Sequence, residues 1–228
     1  GLGRALLRLV SPLVEHLMQR RRLIVDRNLE LCFPDWDEER RRAVRRAHFV
    51  QLSEAVAETA VCWCRRRPLD QAQGRVEGLE YLEAARAGGQ GVLLVTGHTT
   101  CLELGARLFA EQVVARGVYR RLRNPVLNRF QNRGRDRYSP GMVRRDQLKS
   151  MIRYLRAGEV VWYAPDQDFG PARSEFVPFF GLSTATTRGL LDLARLGQAS
   201  VVPMYPLKDP ESGQVTVQIL PAFDGVPS

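Results

Sequence analysis

Of the three histidines in the 228-residue chain, His98 stands in the stretch GHTTCLE, with Glu103 five positions further on. A neutral imidazole is the side chain best suited to take up a proton near neutral pH. A carboxylate on one ring nitrogen fixes the tautomer that leaves the other free as a base. Five positions along an ideal helix would turn Glu103 well off the face of His98. His98, however, precedes the regular helix expected over 101–114, so its ring can fold back over the first turn. Thr99 or Thr100 is expected to cap that helix. The pair is read as a base and its orienter, the logic of a hydrolase triad without the nucleophilic serine. A histidine satisfied by backbone carbonyls beside a solvated Glu103 is the plainer alternative. His16 and His48 have no second ligand at i+3 or i+4, and neither HExxH nor paired Cys/His spacing occurs, so no metal centre is expected at them.

Two further stretches could carry chemistry. APDQDFG offers Asp166 and Asp168, and a D-x-D after a strand can hold a divalent ion between substrate phosphates, as in metal-dependent glycosyltransferases. Asp166 could equally fix the turn or pair with an arginine. Residues 118–138 are rich in arginine and contain three asparagines. A solvated basic face is the ordinary reading of such a run. Beside the histidine segment it could instead grip phosphate, with Arg120, Arg135 and Asn124 as the substrate-binding candidates. No G-x-S-x-G elbow, Walker loop or G-x-G-x-x-G is present, and DFG lacks the companion loops of a kinase. The natural class is a transfer without a covalent enzyme intermediate, in which a base activates a hydroxyl against an already activated donor.

The elements that must position these residues alternate from about residue 73. Helices read over GLEYLEAARAGG, CLELGARLFAEQVV, NPVLNRFQNRG, QLKSMIRYLRAG (capped by Asp146) and TTRGLLDLARLG. Strands read over GVLLVTG, GVYR, EVVWYA, ASVVPMYPL and QVTVQIL. That alternation predicts an α/β fold with a mixed, mostly parallel central sheet and helices on both faces. Residues 1–70 read as an N-terminal helical segment, packed on the core or on a membrane surface, and 71–228 as the α/β domain. Within the first segment, Asp37 is the expected cap of a long helix. GHTTCLE follows GVLLV and PDQDFG follows VVWYA, so both fall beyond carboxyl ends of strands, where open α/β sheets place their chemistry.

The net charge of +9 and the pI near 10 call for an anionic partner, and 44% hydrophobic residues suffice for a real core. Only Lys149 and Lys208 are lysines, so the positive charge is nearly all arginine, whose fork matches phosphate. Nucleic acid is not expected, since few aromatics interleave with the basic residues and no nucleic-acid-binding signature appears. Cys32, Cys62, Cys64 and Cys101 show no CxxC spacing and suit a reducing compartment. No apolar run is long enough to span a bilayer, and the start does not read as a signal peptide.

Across nearly its whole length the chain resembles the late, secondary lauroyl/myristoyl acyltransferases of lipid A biosynthesis, within the glycerolipid-type acyltransferase superfamily. The resemblance is carried by RNLELCFPDW, GLEYLEAARAGGQGVLLVTGHTTCLELGARLF, GVYR followed by NP, LKSMIRYLRAGEVVWYAPDQDFGPARSEFVPFFG and TATT. The histidine followed by an acid after four residues is widespread in the superfamily; VVWYAPDQDFGP with FVPFFG is far more specific. The resemblance implies transfer of a fatty acyl chain from acyl carrier protein to a hydroxyl of a Kdo-bearing lipid A precursor. It implies His98 as general base, Glu103 as its acidic partner, Arg135 as a functional arginine (with Arg133 and Arg137 close in register) and Asp166 as a functional aspartate. It implies no metal cofactor, and work on the cytoplasmic face of the anionic inner membrane. Members carry a hydrophobic segment ahead of the position matching Gly1 and continue past that matching Ser228, so a fragment without its membrane anchor is expected. An acyl-CoA-dependent acyltransferase on another glycolipid, the metal-dependent glycosyltransferase of Asp166 and Asp168, and a non-catalytic lipid-phosphate binding module are the alternatives.

Overall fold

The computed structural model describes residues 2–69, 72–167, 170 and 174–226, with side chains from residue 6 onward. Three helices come first: α1 (Leu2–Leu17), α2 (Gln19–Cys32) and α3 (Glu38–Cys64). There follow β1 (Gly74–Glu77), α4 (Leu79–Arg86), β2 (Val92–Val95), α5 (Leu102–Ala110), β3 (Ala115–Tyr119), α6 (Pro125–Arg135), β4 (Val143–Arg144), α7 (Leu148–Arg156) and β5 (Val160–Tyr163). The chain continues through β6 (Ser174–Phe179), β7 (Leu182–Thr187), α8 (Gly189–Gly197), β8 (Ser200–Lys208) and β9 (Val215–Ile219).

The main sheet has the order β1-β9-β8-β2-β5-β3-β4, parallel throughout except where β8 and β9 run antiparallel. The expected α/β class is what forms. Its central strands are covered on both faces, which is why they read as unbroken apolar runs rather than alternating ones. Side chains of a strand point alternately to the two faces. Val92 and Leu94 of β2, Val160 and Trp162 of β5, and Val202 and Met204 of β8 therefore enter one core, with Leu82 of α4 and Leu104, Leu108 and Phe109 of α5. Leu93, Val161 and Val201 enter the other, with Met151 and Leu155 of α7 and Leu193 of α8. Each fully buried Leu, Val or Phe contributes roughly 1.5–3 kcal/mol.

Asp37 caps α3 as expected, accepting from the Arg40 N–H at 2.7 Å. The other expected caps do not form. The α5 N-cap is Cys101, which makes no side-chain cap bond, rather than Thr99 or Thr100. Asp146 instead takes both prongs of Arg144 at 3.0 Å, leaving Gln147 as the α7 N-cap.

The long α3 packs on α5 and α6, and buried ions stitch it down. Arg107 of α5 pairs with Glu111 at 2.5 Å and donates to the carbonyls of Cys62, Arg65 and Arg67, at and just past the end of α3. Lys208 at the end of β8 is buried between Glu54 and Glu58 of α3. By contrast, α1 turns Leu6, Leu9, Leu13 and Leu17 to solvent. Among the described residues no helix is long and apolar enough to cross a membrane.

Candidate active site

Parallel register builds the centre of the site. Val95, the last residue of β2, pairs with Tyr163, the last of β5, and the Thr96 N–H donates to the Tyr163 carbonyl at 3.1 Å. His98 and Asp166 each lie three residues past that pair, so equal overhangs bring them together. The His98 N–H donates to Asp166 Oδ2 at 2.6 Å, and His98 Nδ1 lies 2.5 Å from Asp166 Oδ1. An ionised carboxylate can only accept, so Nδ1 carries the hydrogen and Nε2 is left as the basic nitrogen. Both side chains are partly exposed, at 47% and 40%, within reach of an incoming substrate.

The expected orienter, Glu103, is elsewhere. It sits in the first turn of α5 and faces α3 and α6, not the imidazole. Trp63 Nε1–H donates to it at 2.7 Å, Arg135 of α6 forms a direct ion pair with it, and the Tyr138 hydroxyl lies 3.4 Å away. The five-position offset from His98 is not overcome, because three donors claim the Glu103 carboxylate and Asp166 already holds the ring. Burial alone would weaken the Arg135 charge, but Glu103 beside it outweighs this and holds its pKa above the ordinary value. Burial, and then Glu103, push the Tyr138 phenol up. The described residues thus divide the carboxylates: Asp166 on the histidine, Glu103 on the arginine.

His98, Glu103 and Arg135 line one cavity of about 250 Å³. Its walls come from α5 (Leu102, Ala106, Phe109), β3 (Gly117, Tyr119), Tyr138, Met142 and Trp162, and the exposed Arg120 lies on its rim. Small side chains keep it open, since a Cβ on Gly117 would come within 2.6 Å of the Met142 methyl. Gln131 and Trp162 also line it, each with a buried polar atom, Oε1 and Nε1, that has no hydrogen-bond partner among the described residues. Neither stood out in the sequence, where Gln131 reads as helix surface and Trp162 as strand core. Asn124 caps α6, its oxygen accepting from Val126 and Leu127 N–H groups at 2.9 and 3.2 Å. Arg133 is exposed, and Arg137 bonds the Trp63 carbonyl, so of the three neighbouring arginines Arg135 is the one in the cavity. Asp168, the second aspartate of the D-x-D reading, lies outside the described residues.

The geometry thus sets a partly exposed histidine, held by Asp166, against a cavity with apolar walls. Comparison with known proteins supplies the class. The model of the bacterial lipid A biosynthesis acyltransferase family matches residues 3–228. The chain is 40% identical over 222 residues to the lipid A biosynthesis lauroyltransferase of Escherichia coli (strain K12), covering 97% of this chain and 70% of that protein. It is 33% identical to the lipid A biosynthesis palmitoleoyltransferase of the same organism, covering 96% and 72%. To that organism's myristoyltransferase of lipid A biosynthesis it is 32% identical, covering 90% and 64%. The chain belongs to the bacterial lipid A biosynthesis acyltransferases, and is thereby an O-acyltransferase.

Proposed function

We propose that the chain moves a fatty acyl group of the lauroyl or myristoyl type from acyl carrier protein to a hydroxyl of a Kdo-bearing lipid A precursor. The observation that carries the mechanism is the bond between His98 Nδ1 and Asp166. The acceptor hydroxyl gives its proton to His98 Nε2 as its oxygen attacks the thioester carbonyl. The C–S bond then breaks, and the imidazolium returns the proton to the departing thiolate. A thioester is already activated, so one base and two aligned substrates suffice. The acyl chain lies in the cavity between α5 and β3, and Arg120 on its rim meets phosphate of the acceptor. Glu103 and Arg135 hold α5 against α6 and keep the cavity's polar wall in place.

A lipid acceptor puts the enzyme on the bilayer. The exposed Leu6, Leu9, Leu13 and Leu17 repeat at helical spacing on α1 and form one apolar stripe fit to lie on the anionic inner membrane at its cytoplasmic face. Incubation with a panel of acyl carrier protein thioesters and the lipid A precursor, read by mass spectrometry, should show one added acyl chain. His98→Ala should lower that transfer by roughly 10²–10⁴-fold with an unchanged melting temperature. Undiminished transfer by His98→Ala would remove the mechanism.

A further inference from the structure

No described residue of the β6–β7 hairpin lines the cavity beside His98. Its strands pair antiparallel from Ser174↔Thr187 to Phe179↔Leu182 and, among the described residues, share no ladder with the main sheet. A two-stranded hairpin alone is at best marginally stable in water, yet this one leaves both its faces largely uncovered. Phe176, Phe179 and Phe180 are 61%, 57% and 52% exposed. Residues 176–187 contain no charged side chain. The two-residue turn is Phe180–Gly181, with φ of +51° and +75°. That is the turn in which Asn-Gly is at ease, and a bulky ring at the first position is held there against its own preference.

The surroundings of the tip say what kind of partner it fits. Phe180 meets Phe33 edge-on at 5.2 Å, and Phe33 stacks on Trp36 at 4.0 Å. Arg40 lies over the Trp36 ring at 4.2 Å, and Arg41 sits beside the Phe33 and Pro34 carbonyls. An uncharged aromatic tip backed by the Trp36 indole and the Arg40 guanidinium, with exposed Asp35, Asp37, Glu38 and Glu39 in the same stretch, presents rings first and mixed charge behind them, the order of a lipid interface. A protein partner would need no such order, and the net charge of +9 favours an anionic surface.

We propose that the β6–β7 tip inserts into an anionic bilayer as a second anchor, independent of the α1 stripe. It rests on the acyl-transfer reading only in that a lipid-borne acceptor brings the enzyme to a membrane. The test therefore reads binding without turnover. The chain is floated with vesicles of phosphatidylethanolamine and phosphatidylglycerol, comparing wild type, the triple variant Phe176→Ser/Phe179→Ser/Phe180→Asn, and Phe179→Asp alone. The apparent partition coefficient of the triple variant should fall at least about tenfold, and that of Phe179→Asp should fall measurably. Circular dichroism and monomeric elution should stay unchanged; if the triple variant misfolds, the exposed single substitution decides. His98→Ala should bind as wild type, which separates this proposal from the catalytic one. Equal partition by all variants overturns the proposal, and so does a wild-type dimer that the substitutions split without loss of vesicle binding.

Discussion

At the scale of single residues, the site turns on which carboxylate serves which base. Asp166 can only accept from Nδ1–H, whereas an amide there can turn its NH₂ toward the ring and favour the wrong tautomer. Asp166→Asn should lower kcat by roughly 10²–10⁴-fold and leave the melting temperature within about a degree, since the pair is half-exposed. Glu103 should behave in the opposite manner. Its ion pair with Arg135 is only 15% exposed on each side, so Glu103→Ala strands a buried guanidinium and should destabilise by roughly 2–5 kcal/mol in denaturant titrations. Glu103 also reaches Cys62, whose thiol is pushed up to about 12, by burial first and by that negative charge second. In iodoacetamide labelling at pH 8 the exposed Cys64 should react, and Cys62 should stay unlabelled until the chain unfolds. The sequence made His98 and Asp166 visible as reactive types just past strand ends, and Arg135 as part of the basic run over 118–138. It hid their partners, because equal overhang of two parallel strands is a property of register, and register between β2 and β5 is not written in either strand alone.

At the scale of elements, α5 is the part that sets the cavity wall, and its seat on the sheet is tight. A Cβ on Gly105 would stand 2.4 Å from the Cβ of Pro206 in β8, so the helix approaches only as close as glycine allows. Gly105→Ala should cost about 1–3 kcal/mol through overpacking, seen as a lower thermal midpoint, despite alanine's better helix propensity. The buried strands and helices were legible because their apolar runs are long and their faces fully covered. Three pieces were not, and one of them, β4, is only the two residues Val143–Arg144. β1 is four residues, GRVE, with little apolar signal. The hairpin strand SEFVPF carries Pro178 inside it, which argues against a strand except at an edge, and among the described residues β6 pairs with β7 alone.

For the whole molecule, composition announced an anionic partner without choosing one, and the fold narrows the choice by separating charge from apolar surface. Arginines clothe the body, while α1 turns its leucine stripe outward with Arg8 at its flank, and the hairpin tip is uncharged. Two attractions of different range follow. The charge contribution, about 1 kcal/mol for each arginine held near an anionic surface, is screened when salt is raised from about 0.1 M to 1 M and the Debye length falls from roughly 10 Å to 3 Å. Apolar insertion is not screened. Binding to anionic vesicles should therefore fall at least about tenfold over that range but level off above zero. On zwitterionic vesicles it should be weak from the start and indifferent to salt. Flotation across a salt series measures both limbs. A curve that falls to nothing on anionic vesicles would mean that charge alone holds the protein there, and that neither the α1 stripe nor the hairpin enters the lipid.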